Sequence, residues 1–560
     1  MAAYEFRSIG ASRTATGVAV FFAILGATAA ILLQGEAGLT VDEPINLGHG
    51  KTMTTVLFER PGDWTKPAGV AEIWGVGHEH PPLTRLLIGL GQRWFDSDLG
   101  NRLAISVRGG RLAGAIAYAG ILLLVVRLAF LLGGLPAVLG AALAGLAMPR
   151  LFGHALFASP EPIAAFFGLL AVATIGRALD EEGGPGATFL WTVWASVTLG
   201  LALLCKLTAV LIPLGVALGL LIRLEFGRLP LLVFWGVLGT AAFFGGWPWL
   251  WPIDIPGQTP GWEGALARAK DFLATGADRA TIHTWYMGKQ FAGNDLPWHY
   301  VWVMLGVTTP PATLALALAG VWKASRTATG SALVGWLAVT LGVFSLPIQR
   351  YDGERLFLFA LPPLAILAGL GAGFLASKTP RGWARAFVQV AFWGALAMPI
   401  SVMARLQPCE LSYYSVAING PAGAEKTGFE ATYWGDSLTN EFLERCAARC
   451  EHKENLPLLP TLYAGHPARL TSLTMAAKEQ RAVPGDWLKK TAEVPADWEK
   501  LGEAKHALVF NRQGYLVDAS TAALLAESRT VEEVAREGVW LARLVALPPG
   551  WTVARENPAK

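Results

Sequence analysis

The sequence has few charged residues and few cysteines for its length. Only 16% of the 560 residues are charged, whereas 53% are hydrophobic, and the mean hydropathy is positive at +0.42. This composition is far from the average of soluble domains and indicates a membrane protein. The net charge of +3 is small, and the basic residues form no extended patch with interleaved aromatic residues. Nucleic acid is therefore not an expected partner.

The four cysteines are scattered and lack the spacing of a zinc site. Cys205 lies in an apolar run, whereas Cys409, Cys446 and Cys450 lie in a polar tail. In an oxidising compartment the tail could form one disulfide, joining Cys409 to Cys446 or to Cys450. The sequence alone leaves both pairings open.

Long apolar runs are abundant. A bilayer core of ~30 Å requires ~20 apolar residues per helix, and about eleven runs approach that length. They lie near residues 16–34, 109–131, 134–150, 160–177, 188–205, 207–223, 229–247, 299–321, 330–348, 355–377 and 384–405. Arg7 and Arg13 precede the first run, as in a signal peptide, but no convincing cleavage site follows, and we interpret the run as a retained helix.

The basic residues of the short connections predict the orientation in the membrane. If the runs alternate across the bilayer, these arginines and lysines fall on one side, which places the N-terminus in the cytoplasm. We therefore expect a membrane domain over residues 1–405, with large outer loops at 35–108 and 248–298. Residues 406–560 are expected to form a small extracytoplasmic α/β domain.

Two stretches of this tail carry local structural signals. "HALVFNRQGYLV", residues 506–517, predicts a strand, a turn at Gln513-Gly514 and a second strand. "DSLTNEFLERCAARC", residues 436–450, predicts a helix with Asp436 or Ser437 as its N-cap.

Charged residues beside the apolar runs on the outer side are candidates for a site, because charge near a membrane is costly unless it is paired or hydrated. The first outer loop contributes "VDEP", residues 41–44, and "GHEHPPL", residues 77–83. Later candidates are Arg108, Arg111, Glu161, Lys206, Arg350, Asp352, Glu354 and Arg355.

Each candidate also has an ordinary structural explanation. Asp42 and Glu43 could simply begin a loop, with Asp42 capping a short helix and Pro44 in its first turn. Lys206 and Arg355 could extend to the lipid headgroups. His78 and His80 flank Glu79 as potential metal ligands, but their spacing directs them to opposite sides of an extended chain.

Taken together, the acids and cations would converge on one hydrated cavity at the outer leaflet. A carboxylate base beside fixed cations suits attack by a hydroxyl group on a carbon atom bonded to phosphate. The carboxylate accepts the proton, and the cations hold the phosphate and stabilise charge on the leaving group. Because phosphate is already a weak base, no general acid is required.

These stretches resemble a known group of enzymes. "VDEP" followed by "EHPPL" is similar to the Asp-Glu and His-Pro-Pro-Leu elements in the first outer loop of protein O-mannosyltransferases. "SPEP" around Glu161, "LCKLTAVL" around Lys206 and "GERLFLFALPPLAILAG" from Gly353 resemble the bacterial branch of polyprenyl-phosphate-dependent glycosyltransferases of the GT-C type. Aminoarabinose transferases that modify lipid A belong to this wider group.

The resemblance implies a mainly α-helical GT-C membrane protein with about eleven transmembrane helices. Its activity would be inverting transfer of a sugar, mannose-like or an aminopentose, from a polyprenyl-phosphate carrier. The acceptor would be a hydroxyl or phosphate group on a protein or lipid at the extracytoplasmic face of a bacterial-type plasma membrane. A divalent metal is an optional cofactor in this group, and the ligand set of this chain leaves it undetermined.

The resemblance also implies roles for individual residues. Asp42 matches the catalytic acidic position and is the expected base, and Glu43 matches its acidic partner. Glu79 and His80 match the positions before Pro-Pro and are expected to line the donor pocket. The residues expected near the carrier phosphate are Arg111, Glu161, Lys206, Arg350 and Arg355. The sequence departs from the group at Thr84-Arg85, where animal and fungal members have Gly-Lys, and at His80, where the aminoarabinose transferases have lysine.

Two other classes of function compete with a transferase. A secondary transporter also has many spans with a few intramembrane charges, but its polar residues usually lie near the midplane in matched halves. This chain concentrates them at one face. A non-catalytic scaffold would explain the tail but would leave the acids and cations without a role.

Overall fold

The computed structural model describes residues 2–75, 77–95, 104–180, 184–277, 282–450, 458–459, 482–484, 505–517 and 519–549. Much of the predicted domain at 406–560 therefore lies outside the described residues. The described chain is mainly helical up to residue 406, and a small sheet follows. Through residue 205 the helices and one short strand are α1 (Ala2–Leu33), α2 (Glu43–Glu59), α3 (Pro67–Trp74), α4 (Leu83–Phe95), β1 (Ala104–Ser106), α5 (Val107–Gly133), α6 (Leu135–Leu146), α7 (Pro149–Ala155), α8 (Pro160–Leu179) and α9 (Pro185–Cys205).

The second part of the membrane region continues the helical pattern and contains one β-hairpin. Its elements are α10 (Leu211–Ile222), α11 (Leu229–Gly245), α12 (Gly261–Ala277), β2 (His283–Tyr286), β3 (Lys289–Ala292), α13 (Tyr300–Thr308), α14 (Pro311–Ala324), α15 (Ala328–Val343), α16 (Leu361–Ser377), α17 (Trp383–Ala397) and α18 (Pro399–Leu406). Proline occupies the first turn of many of these helices, where its missing N–H has no helical partner to lose.

The predicted spans coincide with apolar helices. Among the described residues, seven helices are long and apolar enough to cross a membrane. The count rises to nine if the bent pairs α6–α7 and α13–α14 each form one span. The remaining two predicted runs correspond to the shorter apolar helices at Leu207–Ile222 and Ala328–Val343. The chain is thus an integral membrane protein with multiple apolar helices.

Helix α16 lies at the centre of the helical packing, and every residue from Leu361 to Gly373 is buried. Glycines allow this close packing. A Cβ atom on Gly371 would lie 1.9 Å from the carbonyl oxygen of Leu316 on α14, and one on Gly369 would lie 2.5 Å from that of Ala137 on α6. Small residues let helix backbones approach closely, which is the main source of helix association in a membrane.

The segments that the sequence predicts to lie outside the membrane contain short helices and one β-hairpin. Helix α4 begins at Leu83, directly after the Pro81-Pro82 pair. Strands β2 and β3 pair antiparallel, and Gly288 N in their turn donates to the carbonyl oxygen of Gly428 at 3.1 Å. This contact attaches the hairpin of the second outer loop to the segment that follows α18.

The described C-terminal elements are α19 (Gly420–Lys426), α20 (Asn440–Arg449), β4 (Leu458–Leu459), β5 (Ala482–Pro484), β6 (His506–Phe510), α21 (Gln513–Leu516), α22 (Ala519–Glu527), β7 (Arg529–Arg536) and β8 (Val539–Ala546). Four strands form a sheet in the order β4-β6-β8-β7. The β4 and β6 strands are parallel, whereas β8 is antiparallel to both neighbours. Glu537 and Gly538, both with positive φ, form the tight turn between β7 and β8.

Two local predictions for the tail are wrong. The second strand expected after Gln513-Gly514 is the helix α21, because β6 pairs with β4 and β8 instead of with the chain that follows it. The N-cap of α20 is Thr439, whose Oγ1 accepts from Phe442 N at 3.3 Å, while the Asp436 carboxylate is buried against Thr432.

No disulfide joins any of the four cysteines, all of which lie in the described part of the chain. Cys409 and Cys446 are both buried in the core of the C-terminal region, where burial raises the pKa of the Cys446 thiol to about 12.

Candidate active site

Asp42 lies at the residue before α2 but does not cap that helix. Its carboxylate instead accepts hydrogen bonds from side chains far away in the sequence. Arg355 Nη2 donates to Asp42 Oδ2, and Trp434 Nε1 donates to the same oxygen at 3.2 Å. The capping explanation is therefore wrong for its side chain, although Pro44 does occupy the first turn of the helix.

Arg355 is the centre of the charged cluster. Its Nε donates to Glu161 Oε1 at 3.2 Å, and its Nη1 donates to Asp352 Oδ2 at 2.9 Å, in addition to its bond with Asp42. The guanidinium carbon lies 4.2 Å from the centroid of the Trp434 ring, a cation–π contact. All three edges of the guanidinium thus face carboxylates, and one of its faces stacks on an aromatic ring.

Glu161 and Lys206 are placed by helix boundaries. Glu161 lies between two prolines in the first turn of α8, and Lys206 follows the last residue of α9 with an extended backbone. Lys206 Nζ is 3.4 Å from Glu161 Oε1, so Glu161 contacts both Lys206 and Arg355. The structure therefore brings together Asp42, Glu161, Lys206 and Arg355, which are widely separated in the sequence.

The three carboxylates of this cluster differ sharply in accessibility. The side chain of Asp42 is 36% exposed, whereas those of Glu161 and Asp352 are each 3% exposed. The cations Arg355 and Lys206 are mostly buried but keep 11% and 13% of their side-chain surface. Asp42 is consequently the carboxylate of the cluster that a molecule from outside can reach.

Glu43 occupies a different environment from its neighbour in the sequence. It is fully buried and accepts from Arg111 Nε at 2.7 Å, Arg111 Nη2 at 2.8 Å, Thr40 N at 3.0 Å and Ala158 N at 2.8 Å. Arg111 also donates to three backbone carbonyl oxygens, those of Gln34, Ala37 and Gly38. The expectations that Arg111 lies near the carrier phosphate and that Glu43 assists Asp42 as its acidic partner do not fit this burial, because the two side chains pair with each other within the protein.

Glu79 belongs to a second, adjacent cluster. Arg85 Nη2 donates to Glu79 Oε1 at 2.5 Å, and Arg85 Nε donates to Asn46 Oδ1 at 3.4 Å. Burial raises the pKa of Glu79, but the charges of Arg85 and His80 outweigh it and lower the pKa to about 2. Burial, together with Arg85, lowers the pKa of His49 to about 4. Glu79 is thus held beside α2 chiefly by its ion pair with Arg85.

Arg350 lies apart from the charged cluster. Its guanidinium donates to four backbone carbonyl oxygens, those of Leu296, Pro297, Phe344 and Ile348. These bonds connect the end of the second outer loop to the segment after α15. Its expected place beside the phosphate does not fit this geometry, because the whole guanidinium is directed at the backbone.

Several members of the site were not identified from the sequence. Trp434 and Arg512 come from the tail, and Arg512 Nη2 donates to Asp352 Oδ1 at 2.8 Å. The ring centroids of His154, on α7, and Trp434 are 5.3 Å apart. Tyr433 Oη lies 3.2 Å from His154 Nε2. Trp434 lies within "ATYWGD", residues 431–436, and nothing in the spacing of that stretch indicates a contact with Asp42.

The charged cluster does not have the ligand set of a metal site. Among the described residues, no three His, Cys, Asp or Glu side chains are grouped to hold a metal ion. His78 Nε2 contacts Asp271 Oδ2 at 2.8 Å, and its ring stacks on Trp249. The carboxylates of the cluster are already paired with cations, so the residues present do not fit a divalent ion.

Comparison with known proteins agrees with the fold. No protein-family model and no curated protein matches the chain. Among solved structures, ArnT from Cupriavidus metallidurans in the apo state aligns with a TM-score of 0.52 and 16% identity, over 95% of this chain and 98% of that chain. The same enzyme bound to undecaprenyl phosphate aligns with a TM-score of 0.51 and 15% identity over the same shares.

The chain is therefore a polytopic membrane protein with an ArnT-like GT-C fold. The structural similarity to ArnT extends over most of the chain, as the resemblance in the sequence predicts. At this level of identity the alignment describes the fold, and the chemistry must be argued from the chain's own residues.

Proposed function

We propose that this protein is an inverting glycosyltransferase that moves a sugar from a polyprenyl-phosphate carrier to an acceptor hydroxyl group. The proposal depends chiefly on one observation. Asp42, the accessible carboxylate of the cluster, is held by Arg355 next to a second cation, Lys206. The undecaprenyl phosphate that is bound to ArnT, a protein of the same fold, supports a lipid phosphate as the carrier.

Asp42 is the general base in this proposal. The acceptor oxygen attacks the anomeric carbon from the side opposite the phosphate, and its proton passes to Asp42. The bond between the anomeric carbon and the phosphate oxygen breaks, and the polyprenyl phosphate leaves with the electron pair. A single displacement of this kind inverts the configuration at the anomeric carbon.

Arg355 and Lys206 hold the carrier phosphate. Both keep part of their side-chain surface exposed, and guanidinium groups bind phosphate through paired hydrogen bonds. In the structure Arg355 Nη2 donates to Asp42, so an arriving phosphate competes with Asp42 for this donor. Donor binding would thereby weaken the ion pair and leave Asp42 a stronger base for the acceptor.

The proposal names the sugar and the acceptor by chemical class. The donor sugar is mannose-like or an aminopentose, and the acceptor is a protein or lipid on the extracytoplasmic side. Mass analysis of glycolipids and glycoproteins from cells with and without the protein identifies both. The mass increment narrows the sugar, and the modified molecule is the acceptor.

Asp42→Asn should abolish the modification while leaving membrane insertion intact. Asp63→Asn is a matched control, because Asp63 lies in the same outer segment and pairs with Lys66 at the surface. Full modification in cells carrying Asp42→Asn would remove Asp42 as the base.

A transporter is the competing function, and it makes a different demand. It requires flux of a substrate across sealed vesicles without any glycosyl product. Vesicles that contain the purified protein and a polyprenyl-phosphate sugar separate the two functions. Transfer to an acceptor without flux supports the transferase, whereas flux without product overturns it.

A further inference from the structure

Arg512 joins the C-terminal region to the charged cluster. It follows β6 and is 160 residues away from its partner Asp352. Arg512 Nη2 donates to Asp352 Oδ1 at 2.8 Å, and Nη1 donates to the carbonyl oxygen of Tyr433 at 2.7 Å. Its guanidinium carbon lies 5.1 Å from the Tyr515 ring centroid. Two hydrogen bonds and an aromatic face therefore fix the orientation of this buried side chain.

Asp352 connects this arginine to Arg355. Its Oδ1 accepts from Arg512, and its Oδ2 accepts from Arg355 Nη1 at 2.9 Å. The backbone supports this placement, since Asp352 has φ of +57° and the next residue, Gly353, has φ of +65°. A non-glycine residue in the left-handed region is strained, so the surrounding contacts must hold the turn in place.

Charge balance gives Arg512 a second effect. Without Arg512, the charged cluster would contain three carboxylates, those of Asp42, Glu161 and Asp352. Only two cations, Arg355 and Lys206, would balance them. A buried carboxylate that loses one cationic partner interacts more strongly with its remaining cation. Asp352 would then compete with Asp42 and the carrier phosphate for the guanidinium of Arg355.

We propose that Arg512 is a positioning residue that, through Asp352, sets the guanidinium of Arg355 against Asp42 and the carrier phosphate. The inference rests on the proposed transferase function for its kinetic consequence but not for its geometry. It assigns the C-terminal region a part in the reaction: the region completes the active site by contributing a cation. The side chain of Arg512 is only 4% exposed, so it acts without touching the acceptor.

The kinetic test compares Arg512→Gln with Arg512→Lys. We expect Arg512→Gln to lower kcat at least tenfold while the acceptor KM stays within twofold, because the acceptor does not contact Arg512. Arg512→Lys should recover part of kcat, since lysine keeps the charge but cannot bond Asp352 and Tyr433 together. Arg543→Gln is the matched control, because Arg543 lies on β8 of the C-terminal sheet and pairs with Glu533 at the surface.

A second measurement does not require turnover. In an electron cryomicroscopy structure of the full-length Arg512→Gln protein, Arg355 Nη2 should no longer contact Asp42. If it keeps that contact, or if kcat matches the Arg543→Gln control, the positioning role is wrong. If the wild-type protein transfers no sugar, the proposed function fails, and the structure of the variant still decides whether Arg512 positions Arg355.

Discussion

Asp42 and Glu43 are adjacent in the sequence, but their substitution by the matching amides should affect different properties of the protein. Glu43→Gln should destabilise the protein, whereas Asp42→Asn should remove activity and leave stability nearly unchanged. The difference follows from burial: Glu43 is fully buried against Arg111, whereas the Asp42 side chain is 36% exposed.

The structure gives the size of each effect. Glutamine at position 43 keeps one acceptor oxygen but leaves the buried charge of Arg111 without its counter-ion, a change that typically costs roughly 3–5 kcal/mol. Asn at position 42 removes one of three acidic partners of Arg355, and an ion pair that is partly exposed contributes only ~0–1 kcal/mol. The loss of a general base instead lowers kcat by roughly 10²–10⁴-fold.

The assay measures thermal unfolding and sugar transfer on the same purified proteins in the same lipid nanodiscs. We expect a melting temperature several degrees lower for Glu43→Gln than for Asp42→Asn. We also expect near-normal transfer per folded molecule of Glu43→Gln, and transfer by Asp42→Asn that is slower by roughly 10²–10⁴-fold. Equal melting temperatures would refute the argument from burial, and a wild-type rate for Asp42→Asn would refute the argument for the base.

Three further predictions concern the phosphate site, a buried carboxylate and a glycine. Lys206→Ala and Arg355→Ala should each raise the donor KM more than the acceptor KM in steady-state kinetics, because both cations hold the phosphate. Burial raises the pKa of Glu430 from 4.5 to about 7; since the folded state then binds more protons, this carboxylate lowers stability as pH rises through that interval. Glu430→Gln should flatten the decline of melting temperature between pH 5 and pH 7. Gly428→Ala should lower the melting temperature more than Gly420→Ala, because both residues have positive φ but only a Cβ on Gly428 would approach the β2–β3 hairpin, at 2.0 Å from Gly288 N.

Each of these predictions has a contrary outcome. An effect confined to the acceptor KM would move Lys206 and Arg355 out of the phosphate site. An unchanged pH profile in Glu430→Gln would assign the decline to other groups, such as Asp436, whose pKa burial raises to about 6. Equal melting temperatures for the two alanine variants would mean that backbone strain alone, and not docking of the hairpin, sets the cost.

Local sequence patterns were sufficient for the helices of the membrane region. An apolar run of about twenty residues specifies a membrane helix largely by its own composition, because each backbone group bonds within the same segment. The bend between α13 and α14 is 116° and falls at the Pro310-Pro311 pair. The strands of the tail were less predictable, because the partners of β6 are distant in the sequence.

The candidate site was likewise predictable from the sequence only in part. Its residue types, and the expectation that they lie on one side of the membrane, followed from the sequence, since charge beside a membrane segment is costly without a function or a partner. The sequence and the family resemblance together also selected Asp42, Glu161, Lys206 and Arg355, which the structure brings into contact. The resemblance assigned the base to Asp42, but only the structure shows that Glu43 is buried against Arg111, because adjacent carboxylates are chemically alike until their surroundings differ.

Only the tertiary structure determined which charges face each other. It buried Glu43 with Arg111 and directed Arg350 to backbone carbonyls. It also brought Trp434 and Arg512 from the tail into contact with Asp42 and Asp352. The sequence by itself determined a helical membrane protein whose charged residues are concentrated at one predicted face. Packing between distant segments decided the pairing of its ions, because a buried charge is stable only beside a partner that the fold supplies.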